Sequence, residues 1–598
     1  MKFIERVFTF FILIFIPLGH VFAASDFLAN YDISYAVSPS GKTIVTENIT
    51  LINKTSGTYP KQYAITLDST DIKNTIAYDP KGIVPIEARS LEGKTMLLLT
   101  FNTKVVGIDK ALPFSLRFET DSVARKFGSI WEISIPGVPK DESIGTYDVR
   151  LSVPDNFGEN SYVSPSPVDG MHWTKATLSY GGVNASYGKK QSYSLSLLYH
   201  LVNSSTREKN MSITLPPDTA YQQMLISSLD PEAAKVERDR DGNWLAQYTV
   251  KANEKLDISA QILATVYPFP RESYGKDTIV SRDYLAERPF WEVSDPSIVS
   301  LGGTYKTPEQ IYTYVSTFLS YDYTRVSLGI DRLGAVGALR SNAQALCNEF
   351  TDLFIAIARA SGIPARRVVG YGYTTNPKIK PLSLIVDVLH TWPEYFDEKR
   401  SVWISVDPTW ANTTGGIDYF RKLDFSHIAF AINGLSSSEP KAAGMYKNEK
   451  IQSKDVLVTL SSEKIESSES PSLVLSFHLP RQVISGTYAR GTLELKNTSG
   501  VAVQIEGVKV ESLSHLVSLS NSTTEIPPFG NIVLPITYPL PFFPTVTRDI
   551  FTAKAGSSMA RAEVLYISAT LVFTVLLSLL SIGGIIYIIF LMLRRKHV

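Results

Sequence analysis

One cysteine and two later side chains have the types needed for a nucleophilic site. Cys347 is the only cysteine among 598 residues, so it cannot be half of an internal disulfide. A thiol becomes a good nucleophile when it ionises, which a helix N-terminus and a neighbouring imidazole both favour. His390 and Asp407 follow with enough chain between them for a helix to finish and a strand to return. These residues predict a Cys–His–Asp site that attacks a carbonyl and forms an acyl-thioester.

Each of the three residues also has an ordinary structural interpretation. A lone cysteine is often a buried small hydrophobic residue, and a single histidine is more often structural than catalytic. An aspartate before a proline, as at Asp407-Pro408, is typical of a turn. The enzymatic interpretation therefore requires the three side chains to converge into one row that reactants can reach.

Neighbouring residues are assigned structural roles. Trp392 and Trp410 are expected in the core rather than at a substrate surface. His427 is expected to be structural, and Glu349 and Glu394 to be solvated or ion-paired.

Local signals predict the elements that would hold these side chains. Thr307-Pro308-Glu309-Gln310 is typical of a helix start. A second helix is predicted over 347–360, with Cys347 at its first position and Gly362 closing it. Three strands are predicted over 367–373, 389–396 and 402–406, the second containing a Pro393 that suits an edge or a bulge. These elements predict a compact α+β domain in this part of the chain.

Period-two apolar runs broken by Gly and Pro turns predict β-sandwiches on both sides of that domain. The fold class is therefore multidomain, with β-sandwich domains flanking a central α+β domain. The predicted organisation is a signal peptide over 1–23, a β-sandwich domain over 24–158, a second β-domain over 159–285, the α+β domain over 286–435, a linker over 436–465, an immunoglobulin-like β-sandwich over 466–555, a transmembrane helix over 564–593 and a cytoplasmic tail over 594–598.

The first residues predict a secretory signal peptide. Lys2 and Arg6 give a basic start, and an uncharged run over 7–18 follows. The run is short for a spanning helix, and the small residues before Ala24 suit cleavage. Cleavage after Ala23 would export the rest of the chain.

The C-terminal end predicts a membrane anchor. Residues 564–593 carry no acidic or basic side chain. At about 1.5 Å per residue, a helix of this length exceeds the roughly 30 Å hydrocarbon core. Arg594, Arg595 and Lys596 follow at once, so the positive-inside rule places the tail in the cytoplasm. We therefore expect a single-pass protein of the cell membrane with an extracytoplasmic body.

Composition argues against several other classes of protein. Lys plus Arg and Asp plus Glu both number 58, and no basic stripe predicts a nucleic-acid partner. One cysteine and scattered histidines predict no closed zinc site. The sequence carries no glycine-rich phosphate loop, so no cofactor is expected.

Three ordered motifs resemble the core of the transglutaminase-like superfamily. They are Cys347-x-Glu349-Phe350 running through Arg359-Ala360-Ser361-Gly362-Ile363-Pro364-Ala365-Arg366, then His390-x-Trp392-x-Glu394, then Asp407-Pro408-Thr409-Trp410. The resemblance spans residues 300 to 430 and implies a papain-like α+β core with a catalytic triad of Cys347, His390 and Asp407. It also implies a second donor to the oxyanion beside the Cys347 N–H, for which Gln344 is one candidate.

Two functions follow from these observations. The first is a surface-anchored cysteine enzyme that acts on amide bonds of an extracellular protein or peptide, by peptidase-like hydrolysis or by transamidation. Analogy with anchored multidomain members favours hydrolysis. The alternative is a non-catalytic cell-surface binding or scaffold protein with the same fold.

Overall fold

The computed structural model describes most of the chain outside its N-terminal segment. The described residues are 26–138, 141–178, 182–271, 274, 280–326, 331–374, 380–381, 389–447, 454–463, 465, 472–486, 488–512, 516–539 and 548–595. The predicted signal peptide and the last three residues of the predicted tail lie outside them.

The chain forms two compact units. The first consists of the described residues within 1–124, 136–154 and 166–178, and the second of those within 125–135, 155–165 and 179–598. A division into two units does not test the eight-part organisation expected from the sequence, which stays a prediction.

The N-terminal half is almost entirely strand. Its strands are β1 (Phe27–Val37), β2 (Thr43–Asn53), β3 (Gln62–Leu67), β4 (Lys73–Asp79), β5 (Gly82–Ile83), β6 (Ile86–Leu91), β7 (Lys94–Thr100), β8 (Ala111–Thr120), β9 (Ala124–Phe127), β10 (Ile130–Ile135), β11 (Ile144–Ser152), β12 (Asn160–Ser164), β13 (His172–Thr174), β14 (Val183–Tyr187), β15 (Gln191–Val202), β16 (Lys209–Leu215), β17 (Gln222–Asp230), β18 (Lys235–Arg238), β19 (Trp244–Val250) and β20 (Lys255–Val266).

The central region contains four helices followed by three strands, a short helix and a last strand. Its elements are α1 (Pro296–Thr304), α2 (Pro308–Phe318), α3 (Gly334–Arg340), α4 (Cys347–Ala360), β21 (Ala365–Gly372), β22 (Leu389–Asp397), β23 (Val402–Ser405), α5 (Pro408–Thr413) and β24 (His427–Asn433).

The remaining elements are strands followed by one long helix. They are β25 (Val456–Ser461), β26 (Leu473–His478), β27 (Gln482–Ile484), β28 (Tyr488–Asn497), β29 (Val503–Glu511), β30 (Leu516–Ile526), β31 (Asn531–Pro539), β32 (Arg548–Ala555), β33 (Ser558–Ile567) and α6 (Ala569–Arg595).

The first unit contains a seven-stranded sheet, β13-β11-β1-β2-β8-β4-β5, and a three-stranded sheet, β3-β7-β6. Buried residues alternate along β2, so one face of the larger sheet packs inward, as the period-two pattern predicts. Strands β1 and β11 pair in parallel, whereas β1 and β2 are antiparallel.

The second unit contains the remaining sheets. Their strand orders are β12-β14-β10-β9, β17-β20-β15-β25, β16-β19-β18, β23-β22-β21-β24, β26-β28-β31 and β27-β33-β32-β29-β30. Strand β25 lies within the segment for which the sequence predicts a linker, and it pairs antiparallel with β15.

The sheet β23-β22-β21-β24 positions the central motifs. Helix α4 packs against β22 and β21 and contributes Phe350, Leu353 and Phe354 to the core on that side. Val369 and Phe430, from β21 and β24, belong instead to a core shared with strands β15 and β20 of the neighbouring sheet. The sheet is therefore covered on both faces, which explains its nearly continuous burial.

The local helix predictions are confirmed. Helix α4 has the predicted bounds. At the start of α2, the N–H of Gln310 donates to Thr307 Oγ1 at 3.3 Å and the N–H of Thr307 donates to Gln310 Oε1 at 3.2 Å. These reciprocal bonds form the expected capping box.

Pro393 lies in an inner strand rather than at an edge or a bulge. It pairs with Arg367 of β21, while β23 flanks β22 on the other side. The pairing with β23 ends at Glu394 and Ser405, and the N–H of Val406 donates to the Pro393 carbonyl at 3.1 Å. The proline is tolerated because it lies where this ladder ends.

The C-terminal apolar run is divided between a strand and a helix. Val564 and Tyr566 are buried in the core of the last two sheets as part of β33. Helix α6 then runs from Ala569, later than the sequence predicts, and residues 569–594 are long and apolar enough to cross a membrane. This helix is a candidate membrane span.

Candidate active site

Cys347 is the first residue of α4 and follows the N-cap residue Leu346. The Glu349 carboxylate accepts the backbone N–H of Leu346 at 2.8 Å and that of Leu333 at 2.9 Å. It also pairs with Arg325 at 3.3 Å, and burial raises the pKa of this carboxyl despite these bonds. Glu349 is therefore ion-paired and buried rather than solvated, and it fixes the helix start that carries the thiol.

Asp352 anchors α4 further along the same helix. Its carboxylate accepts Trp291 Nε1–H at 2.9 Å and Arg332 Nε–H at 2.7 Å, with a second bond from the same guanidinium. The guanidinium lies 4.4 Å from the centre of the Phe290 ring. This buried network holds the first turns of α4 in place.

Asp407 holds the His390 imidazole from the junction of β23 and α5. His390 Nε2 lies 2.9 Å from Asp407 Oδ2, and both side chains are buried. The other oxygen, Oδ1, accepts the backbone N–H groups of Thr409 at 2.9 Å and Trp410 at 3.1 Å. The aspartate therefore caps α5, as its turn-like sequence predicts, and also orients the ring.

The His390 ring interacts with Cys347 as well. Burial by itself lowers the pKa of His390, but the charge and hydrogen bond of Asp407, followed by the interaction with Cys347, raise it overall. Among the described residues, His390 Nδ1 is buried and has no hydrogen bond of standard geometry. Because Nε2 is held by Asp407, Nδ1 is the nitrogen left for the thiol. All three residues singled out in the sequence are therefore brought together.

This row is closed to solvent, in contrast to the sequence-based expectation. Cys347 and His390 are each 1% exposed and Asp407 is 0% exposed. The Trp410 ring stacks on His390 with a centroid distance of 4.8 Å. Little of the thiol surface is therefore open to a reactant in this structure.

The surroundings of the thiol are nevertheless polar. Arg367 is buried beside the first turn of α4, and this burial lowers the pKa of its guanidinium group. Arg367 in turn donates to the side chain of Asn348 at 2.7 Å. The sulfur is thus not enclosed in purely apolar packing.

His427 is a member of the site that sequence reasoning missed, since it assigns this residue a structural role. His427 Nε2 lies 3.2 Å from Asp407 Oδ2, the atom that also binds His390. Its Nδ1 lies 2.9 Å from Asp424, which pairs with Lys380 at 2.8 Å. Burial lowers the pKa of His427, but the two carboxylates raise it to about 8. The only local signal for this pair is the Asp-x-x-His spacing at the start of β24.

Donor atoms of His390, Asp407 and His427 lie within 4.8 Å of one another, a grouping that could hold a metal ion. Hydrogen bonds already account for the contacts from both Nε2 atoms to the shared carboxylate oxygen. The cluster therefore acts as a hydrogen-bonded row without needing an ion. The expectation of no metal centre stays a prediction.

Residues 297–408, which contain Cys347, His390 and Asp407, match the model of the transglutaminase-like superfamily. Uncharacterised proteins of Mycobacterium tuberculosis and Mycobacterium bovis are 23% identical over 223 residues, covering 33% of this chain and 71% of theirs.

Two solved structures illustrate the structural similarities. A candidate cysteine protease from Cytophaga hutchinsonii is 15% identical, covers 46% of this chain and 99% of its own, and has a TM-score of 0.28. The CARDB domain of a Pyrococcus furiosus protein, solved in complex with di-metal ions, is 20% identical over 16% of this chain and 89% of its own, with a TM-score of 0.14. Similarities this low say nothing of activity.

Proposed function

We propose, from the premise that residues 297–408 belong to the transglutaminase-like superfamily, that this chain is a membrane-anchored cysteine enzyme. The observation that supports this most is the placement of His390, with Nε2 held by Asp407 at 2.9 Å and the ring beside Cys347. This superfamily is generally cysteine peptidase-like or acyltransferase-like.

The proposed reaction uses one imidazole for every proton transfer. His390 Nδ1 takes the proton of Cys347, and the sulfur adds to an amide carbon. The C–N bond then breaks, and the amine leaves with the proton from His390, which leaves an acyl-thioester. Water or a second amine attacks the thioester while the same ring accepts its proton, and the thiol is regenerated. Asp407 keeps the ring oriented throughout.

The proposed substrates are amide bonds of extracellular proteins or peptides. This assignment combines the candidate span at Ala569–Arg594 with the basic residues that follow it, which would place the body outside the membrane. Hydrolysis and transamidation share the acyl-enzyme and differ in whether water or an amine resolves it. We propose hydrolysis as the main outcome.

Alkylation by iodoacetamide tests the reactive thiol, and the reagent reports on Cys347 alone because the chain has one cysteine. The detergent-solubilised full chain is labelled between pH 5 and 8. Rapid labelling at pH 5–6 that slows in His390→Ala supports the proposal, because the imidazolium stabilises the thiolate. The matched control is His478→Ala, which removes an exposed histidine from β26. It should label like the wild type.

One observation favours the alternative of a non-catalytic binding or scaffold protein, namely the 1% exposure of Cys347. In that case labelling stays slow and rises only near the ordinary thiol pKa of about 8.5. If the thiol is reactive, a labelled amine and a glutamine-bearing protein separate the two enzymatic outcomes. Stable incorporation of the amine indicates transamidation, and new chain termini indicate hydrolysis.

A further inference from the structure

The hydroxyl of Tyr321 is a buried polar group without a hydrogen bond beside the site. Tyr321 is 8% exposed, and among the described residues its hydroxyl has no hydrogen-bond partner. Buried polar groups are nearly always hydrogen-bonded, so such an exception needs an explanation. A ligand that is present only during the reaction would supply the missing partner.

The backbone fixes Tyr321 next to the start of α4. Tyr321 forms a parallel bridge with Ala345, two residues before Cys347. The N–H of the next residue, Asp322, donates to the Ala345 carbonyl at 2.9 Å. The backbone of Tyr321 is therefore tied to the segment that directly precedes Cys347.

The Tyr321 hydroxyl and the Cys347 sulfur belong to bridged backbone segments, and the charge on one affects the protonation of the other. Burial raises the pKa of Tyr321 far above its ordinary value, and the charge of Cys347 adds to the rise. A phenol with a raised pKa stays protonated at working pH and remains a hydrogen-bond donor. Gln344, the candidate suggested by the sequence, is exposed and lies in the short 3₁₀ turn Asn342–Gln344.

The reaction needs a donor at this place. When a sulfur adds to a carbonyl carbon, the C=O π electrons move to the oxygen, which becomes an oxyanion. A neutral, water-excluded donor stabilises that charge in the transition state without reorganising. The N-terminus of α4, where Cys347 lies, contributes partial positive charge as well.

We propose that the Tyr321 hydroxyl donates a hydrogen bond to the oxyanion formed when Cys347 attacks a substrate carbonyl. The S–C bond forms, the oxyanion accepts the hydrogen bond, and the C=O bond re-forms as the amine leaves with the proton held by His390. The phenol keeps its own proton throughout. The inference rests on the proposed cysteine-enzyme function.

Two reactions of the same thiol separate this role from a structural one. Displacement of iodide from iodoacetamide forms no oxyanion, whereas transfer of acetyl from p-nitrophenyl acetate passes through one. Both rates are measured on the full chain for wild type, Tyr321→Phe and Tyr323→Phe, with Cys347→Ser as the blank. Tyr323 is a matched control because it is two residues away, half exposed, and its ring centre lies 4.9 Å from that of Tyr321.

We expect Tyr321→Phe to lower the acetylation rate by about 10²-fold, the typical effect of losing one oxyanion donor, and to leave alkylation unchanged. Tyr323→Phe should change neither rate.

Equal losses in both reactions would overturn the assignment, because the hydroxyl would then support the thiol itself. Acetylation at the wild-type rate would overturn it while leaving the enzyme proposal intact. A wild type that is alkylated but never acetylated would also overturn it, and a wild type that is not alkylated at acidic pH would refute the enzyme proposal itself.

Discussion

Replacing Asp407 with asparagine tests whether the carboxylate sets the protonation of His390. One carboxylate oxygen accepts the N–H groups of Thr409 and Trp410, and the other accepts both His390 and His427. An amide has only one acceptor oxygen and one donor nitrogen. To keep the two backbone bonds, the oxygen must remain at α5, so the NH₂ group must face the two imidazoles.

That orientation places the wrong proton on His390. Nε2 would have to accept from the amide, which moves the ring proton to Nδ1 on the side of Cys347. A neutral ring already protonated at Nδ1 cannot take the thiol proton there. In a serine protease triad the same change costs about 10⁴-fold in kcat, or about 5 kcal/mol of activation free energy.

We therefore expect Asp407→Asn to lower the acetylation rate of Cys347 by about 10⁴-fold between pH 6 and 8, measured with p-nitrophenyl acetate. The loss of a buried charge partner should also destabilise the fold by about 3–5 kcal/mol in urea denaturation. Asp397→Asn is the control, because Asp397 accepts the N–H groups of Lys399 and Arg400 in the hairpin between β22 and β23. A rate for Asp407→Asn within tenfold of the wild type would refute the argument from protonation.

Three further predictions concern stability and location. Because the pKa of His427 is raised from 6.5 to about 8, its stabilising contribution is complete below pH 6.5 and is lost as the pH rises through 8. The free energy of unfolding in urea should fall by about 2 kcal/mol over that interval, and His427→Gln should remove this part of the slope. Asp352→Asn should destabilise the protein by about 3–5 kcal/mol in the same assay, because it leaves the Arg332 guanidinium buried without its charge partner, and an unchanged midpoint would contradict this. Deleting residues 568–598 should release the chain from membranes washed with alkaline carbonate, whereas the full chain should stay in the membrane pellet. Release of the full chain by the same wash would show that α6 does not span the membrane.

The parts of the fold that could be predicted depend on short-range signals. The bounds of α4 follow from the apolar face of the helix and from Gly362, which ends it, and the start of α2 follows from Thr307 and Gln310. The order of the three motifs predicts that His390 pairs with Asp407, and the structure places His390 Nε2 2.9 Å from Asp407 Oδ2.

The parts that could not be predicted depend on tertiary contacts. His427 and Tyr321 look like ordinary residues in the sequence, because only the folded chain brings His427 to the Asp407 carboxylate and pairs Tyr321 with Ala345 beside the start of α4. The burial of Cys347 is likewise a property of the packed neighbours. The sequence predicts that the membrane helix starts at Val564, whereas the helix starts at Ala569. The prediction is too early because Val564 and Tyr566 have side chains that suit both a β core and a lipid environment.

The double duty of Asp407 bears on how related sequences should be interpreted. Since the same carboxylate caps α5 and orients His390, a relative without the proposed activity would still need it for the helix start. Neither Cys347 nor His390 caps a helix in this way. An aspartate found at this position in a distant homologue would therefore be a poor guide to whether that homologue has the proposed activity, and the thiol and the imidazole would be the residues to inspect.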